Sequence, residues 1–147
     1  MRTLIVLALL MVGCGRSHEE AHGLALAVQQ CTAKDLGCPR PILYVSKIQA
    51  SIAYYRDQLG FHFDWIDEGD FASVTRGGAQ IFLCEKCQGH AGGWMWVQTP
   101  DTDKLYAELK KRGAIIKAPP ENKRWGVREM LVADPDGNVL RMAGPTR

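Results

Sequence analysis

From Ile42 onward the chain sets short apolar runs between turn signals: Ile42–Val45, Phe61–Ile66, Phe71–Thr75, Ala79–Cys84, Trp94–Val97, Met130–Ala133 and Val139–Met142. Runs of this length bounded by Gly, Asp, Asn or Pro read as strands. Two stretches change period. Ser51 precedes Ile52, Tyr55 and Leu59, spaced by three and four, and Gly60 stands where a glycine cap ends a helix. In the second, Asp101 is the expected N-cap, Leu105 and Leu109 share a stripe, Lys110 to Arg112 complement the dipole, and Gly113 is the cap. The caps lie 53 residues apart. Each helix follows one strand and precedes several more, the last after Gly77-Gly78 in one half and after Asp136-Gly137 in the other. The pattern predicts a strand-helix-three-strand unit used twice, an α+β fold of paired βαβββ modules with Ala118 to Val127 as a long loop. One helix covers one face of such a sheet, so the concave face must be buried elsewhere or form a cleft.

Strand alternation assigns side chains to these faces. Trp94, Trp96 and Gln98 share one, and Met95 and Val97 the other. On the last strand Val139 and Arg141 go together, leaving Leu140 and Met142 for the helix-packed core. His62 and Asp64 share parity, a pair capable of acid-base work, but no nucleophile or metal-ligand cluster accompanies them.

The N-terminus has a different texture. Arg2, the nine-residue apolar stretch Leu4–Val12 and Gly13-Cys14 have the shape of a signal peptide, too short to span a bilayer. Met11-Val12-Gly13-Cys14 resembles the lipobox of bacterial lipoproteins, with Met in place of the usual Leu, and marks Cys14 for lipidation. The expected organisation is a signal peptide over 1–14, a tether over 15–38, a folded domain over 39–144 and a tail over 145–147. This places the protein in the cell envelope on a lipid anchor; the alternative is a cytoplasmic protein with an apolar start. Composition adds exclusions. The chain has 147 residues, 46% of them apolar and 23% charged, which suits one soluble domain. With 18 basic against 16 acidic residues and no basic run beyond Lys110-Lys111-Arg112, nucleic acid is not an expected partner.

Lipidation of Cys14 would leave Cys31, Cys38, Cys84 and Cys87. Local pairs Cys31–Cys38 and Cys84–Cys87, or free thiols, both remain open. Cys84, Cys87 and His90 offer three ligands where a structural zinc site needs four. A redox C-x-x-C is expected at a helix N-terminus, whereas this one ends a strand.

Several stretches together resemble the vicinal-oxygen-chelate superfamily, which includes glyoxalase I, extradiol dioxygenases and bleomycin-resistance proteins. They are Ile42-Leu43-Tyr44-Val45, Ser51 to Phe61, Trp125-Gly126-Val127-Arg128-Glu129 and Asp134-Pro135-Asp136-Gly137-Asn138. The resemblance spans Pro39 to Gly144 and implies paired βαβββ modules, often assembled as a homodimer. Its enzymes hold a divalent metal with His, Glu or Gln at four strand positions, which by place fall here near Arg40, Phe82, Trp94 and Arg141. None of these can ligate a dication, since guanidinium has no lone pair to donate. The resemblance therefore implies a metal-independent protein of the bleomycin-resistance type that sequesters a planar or aromatic compound, with no cofactor and no catalytic residue. Its expected ligand-binding residues are Trp94, Trp96, Phe82, Arg141, Arg40, Trp125 and Trp65, of which Arg141 would meet a carboxylate or phosphate. From Pro39 onward 15 basic residues face 13 acidic ones, so the domain is not the acidic sponge expected for cationic bleomycin itself. The alternative is a metal-dependent lyase or dioxygenase that enlists His62, His90 or Glu85.

Overall fold

The computed structural model describes residues 37–146. The apolar opening, Cys14 and the tether up to residue 36 lie outside the described residues. Two βαβββ modules follow one another. The first comprises β1 (Ile42–Val45), α1 (Ile48–Asp57), β2 (His62–Asp67), β3 (Phe71–Arg76) and β4 (Ala79–Glu85). The second comprises β5 (Trp94–Gln98), α2 (Thr102–Lys111), β6 (Ile115–Asn122), β7 (Val127–Ala133) and β8 (Val139–Pro145). Each builds a four-stranded mixed sheet, β1-β4-β3-β2 and β5-β8-β7-β6, in which the first strand runs parallel to the last. Gly60 and Gly113 adopt the left-handed backbone (φ +70° and +80°) that glycine enters without steric cost, and both helices end there as their spacing predicts.

Three local features depart from the sequence reading. The first helix starts at Ile48, three residues before Ser51. Its N-cap, Lys47, makes no side-chain capping bond, and Glu85 at the end of β4 supplies the carboxylate instead, accepting from the Ile48 N–H at 2.7 Å. The stretch expected as a loop, Ala118 to Val127, includes the second half of β6, which starts at Ile115. This is an edge strand whose register slips around Lys117 and Pro119-Pro120, and an edge is where a sheet tolerates proline. The third is a bulge at Asp64, which leaves Phe63 opposite Val74 but Trp65 opposite Ser73. One extra residue flips the alternation. Phe63 therefore packs on the core while Trp65 is exposed with the opposite face.

One hydrophobic core serves both modules. Ile52 and Tyr55 of α1, Leu59 just beyond its end, Leu109 of α2, Val74, Ile81 and Leu83 of the first sheet, and Met130, Val132, Leu140 and Met142 of the second belong to one buried cluster. Each large side chain fully buried there contributes about 1.5–3 kcal/mol. An exposed ion pair such as Arg56–Asp57 is screened by water and adds little beside that, so packing decides the fold.

Polar bonds join the modules at specific points. The Tyr54 hydroxyl on α1 donates to the Ala133 carbonyl (2.7 Å) and accepts from the Ile115 N–H (2.8 Å). Tyr55 donates to Asp134 Oδ2 (3.1 Å), and Asn138 Nδ2 donates to that oxygen (2.7 Å) and to the Tyr44 carbonyl (2.9 Å). Arg76 pairs across the boundary with Glu108 (2.7 Å). Burial pushes the Tyr55 hydroxyl well above the usual tyrosine value and raises Tyr54 and Asp134 as well, because each would ionise away from water.

Candidate functional site

Because both sheets spend one face on the shared core, each presents its other face outward. On the first sheet, Ile42, Phe82, Ser73 and Trp65 form a row across the four strands. Phe82 lies 5.6 Å from Trp65 and 5.4 Å from Phe71, ring centre to ring centre, and the third pair is 6.0 Å apart. These tilted contacts make an aromatic platform. Beside it runs a polar chain. Asp64 accepts from the hydroxyls of Ser73 and Thr75 (2.7 Å each), Gln80 Nε2 donates to Ser73 Oγ (2.9 Å), and Arg40 Nε donates to Gln80 Oε1. Arg40 thus reaches this face, held by an amide.

On the second sheet the rows are Trp94–Val139–Ala133 and Trp96–Arg141–Leu131. Met95 and Val97 pack toward the core while Trp94 and Trp96 stand 61% and 53% exposed, as alternation predicts. Arg141 places its guanidinium 5.6 Å from the centre of the Trp94 ring, a cation–π approach. Its charge is met by Glu129 on β7 at 3.4 Å, and that side chain is only 3% exposed.

The sequence-predicted residues therefore fall into two groups: Trp65, Phe82 and Arg40 on the first face, and Trp94, Trp96 and Arg141 on the second. Trp125, exposed in the β6–β7 turn, makes no ring contact with either group among the described residues. The face expected to form a cleft is open in the single chain, since a face is lined only when something packs against it. A groove of about 760 Å³ opens beside β5, lined by Met95, Val97 and Leu105 from the core side and touched at its rim by Pro41, Gln80, Trp96 and Gln98.

Asp64 lies on the open face with His62, as their shared parity predicts, but its partners are Ser73 and Thr75 rather than His62, which is exposed. Alternation missed one carboxylate. Glu129 lies on the face of Trp96 and Arg141, two residues before Leu131 on β7. Strand parity beside Met130 could have found it once β7 was extended back to Val127. Arg128 forms a two-bond ion pair with Asp103 on α2 (2.6 and 2.8 Å), away from the open face.

The donor set does not suit the divalent metal of the related enzymes. The four places named above carry guanidinium or aromatic carbon, and among the described residues no three His, Cys, Asp or Glu side chains converge. Glu85 caps α1, His90 is an exposed loop residue with its ring against the Ala91 carbonyl, and Cys84 is joined to Cys87 with Cα atoms 5.6 Å apart. That distance is ordinary for a disulfide, and it removes both sulfurs from any zinc site with His90.

Comparison with known proteins agrees with the architecture. A bacterial relative, the uncharacterized protein YraH of Bacillus subtilis (strain 168), is 26% identical over 117 residues, covering 68% of this chain and 91% of its own. A crystal structure of a glyoxalase/bleomycin resistance protein/dioxygenase superfamily member from Sphaerobacter thermophilus DSM 20745 superposes with a TM-score of 0.65. It is 26% identical, over 74% of this chain and 98% of that one. The bleomycin-binding protein of bleomycin-producing Streptomyces verticillus, solved with copper(II)-bleomycin, gives a TM-score of 0.64 at 26% identity, over 78% and 100%. The sequence profile of one family matches residues 37–142, most of the chain, and by that match the protein belongs to the Glyoxalase/Bleomycin resistance protein/Dioxygenase superfamily.

Proposed function

We propose that this protein binds and sequesters a planar or aromatic small molecule, making and breaking no bond and using no metal. The observation that carries the reading is the pair of outward faces. Aromatic rings and guanidinium groups occupy the places where related enzymes keep metal ligands, and the tryptophans there are exposed rather than used as core. Large exposed apolar side chains grouped on one face mark a binding surface. The Streptomyces verticillus relative, which holds copper(II)-bleomycin, supports small-molecule capture on this scaffold.

The working form is a homodimer. In a two-fold pair, the Trp65–Phe82 face of one copy can lie against the Trp94–Trp96 face of the other, and the symmetry makes two equivalent clefts at once. Size-exclusion chromatography with light scattering should give twice the chain mass; a monomer at micromolar concentration sinks this part. Cys14 supplies a lipid tether to the envelope. Expressed in a bacterium, the full chain should fractionate with membranes and Cys14→Ala should move to the soluble fraction; equal partition of both rejects the anchor.

A thermal-shift screen of divalent metals against planar heteroaromatic compounds tests the central claim. A compound present at a hundred times its Kd stabilises the native state by about 2.7 kcal/mol, a rise on the order of 10 °C for a domain of this size. The expected result is a rise with aromatic compounds and none with metals. Stoichiometric metal in the purified protein, with turnover lost on chelation, would overturn it.

A further inference from the structure

Glu129 and Arg141 form the most unusual polar arrangement on either face. The carboxylate is 97% buried beneath an otherwise open surface, and its Oε1 stands 3.4 Å from Arg141 Nε, outside good hydrogen-bond geometry. Glu129 Oε2 and Arg141 Nε are both buried and both lack a hydrogen-bond partner. A native structure rarely leaves such groups unpaired, and here an acceptor and a donor are left together. The Arg141 guanidinium makes no hydrogen bond to any described residue and rests only on the Trp94 ring and this long ion pair. No hydrogen bond holds it over Glu129, so a ligand can displace it from the carboxylate.

Building on the sequestering role proposed above, we infer that the Trp94–Trp96 face reads a neutral planar ligand carrying a hydrogen-bond donor beside an acceptor on one edge, as in a carboxamide, a lactam or a nucleobase. Glu129 Oε2 accepts from the ligand N–H, Arg141 donates to the adjacent carbonyl or ring nitrogen, and the indoles pack on the plane. The opposite charges of the pair cancel, so neither a carboxylate nor a cation finds a full counter-charge. A carboxylate brings no donor for Glu129 and repels it, and an amidinium brings no acceptor for Arg141. On this reading Arg141 meets a carbonyl or ring nitrogen rather than an anion, because Glu129 already answers its charge from within the sheet.

Three probes with the same ring separate the cases: naphthalene-2-carboxamide, naphthalene-2-carboxylate and naphthalene-2-carboxamidine. Each is titrated into the full-length protein while the four indole N–H signals are followed by NMR. The carboxamide should bind at least tenfold more tightly than either charged probe. Glu129→Gln and, separately, Arg141→Met should each reduce that preference below threefold. The second variant keeps the test alive if the first fails to fold. Tightest binding by the carboxylate or the amidine, or a preference that survives both substitutions, overturns the inference while leaving a ligand-binding face in place. Failure of all three probes to move any indole signal rejects this inference and counts against the sequestering role itself.

Discussion

Asp134→Ala should lose about 3–5 kcal/mol of stability, more than any other single change at the joint between the modules. The Asp134 carboxylate accepts four bonds: Oδ1 from the N–H groups of Asp136 (3.0 Å) and Asn138 (2.9 Å), and Oδ2 from the Asn138 amide and the Tyr55 hydroxyl. Tyr55 and Asn138 are fully buried, so truncation strands a hydroxyl and an amide with no water to replace the lost acceptor. Each such orphan costs about 1–3 kcal/mol. Urea unfolding measures the loss directly. A change below about 1 kcal/mol would mean that the turn holding Asp134 relaxes freely and does not lock the halves together.

The same residue gives a signed pH dependence. Burial holds the Asp134 carboxyl above its ordinary value of 3.8, against the pull of its hydrogen bonds from Asn138 and Tyr55. The folded state therefore binds this proton more tightly than the unfolded state. The resulting stabilisation is complete below the unfolded value and is lost as pH rises through the raised folded one. Asp134→Asn keeps the shape and cannot titrate, while every other carboxyl is common to both proteins. The stability of the wild type minus that of the variant should shrink as pH rises from about 4, and a difference that grows with pH would reverse the assignment.

Changing Trp94 and Trp96 together to Ala is expected to weaken binding of any aromatic compound found by thermal shift roughly a hundredfold. A tryptophan that anchors a ligand contributes about 2 kcal/mol or more, and two give a loss of that size after allowing for non-additivity. Stability should barely change, because both rings are more than half exposed in the single chain. Only Trp65 and Trp125, which lie off this face, remain to fluoresce in the double variant, so calorimetry is the measurement. Unchanged affinity in a folded double variant would place the ligand elsewhere, with the Trp65–Phe82 platform next to be tested.

Where local physics decides the structure, the sequence reading succeeds. Gly60 and Gly113 are the residues that leave a helix through positive φ at least cost, so their spacing exposes the duplication. The period-two arrangement of Trp94-Met95-Trp96-Val97 assigns each side chain to the correct face. What failed depended on residues distant in sequence. α1 starts at Ile48 because a carboxylate arrives from β4, 37 positions on. β6 accepts Pro119-Pro120 because it lies at an edge, and edge position is a property of the assembled sheet. The bulge at Asp64 inverts parity after Phe63 without any Gly or Pro to announce it. Parity with Met130 gives the face of Glu129, but only the pairing of β7 with β8 puts it beside Arg141.

A division of labour follows from the way the two sheets share one core. Residues that keep the chain folded point inward from the strands of both sheets, and those available to a ligand point outward from the same strands, one position along. A substitution at Phe82, Trp94 or Trp96 exchanges partly or largely exposed surface and leaves the packed interior intact. Such a scaffold can be retargeted to new compounds step by step, each step selected for what it captures without first endangering the ability to fold.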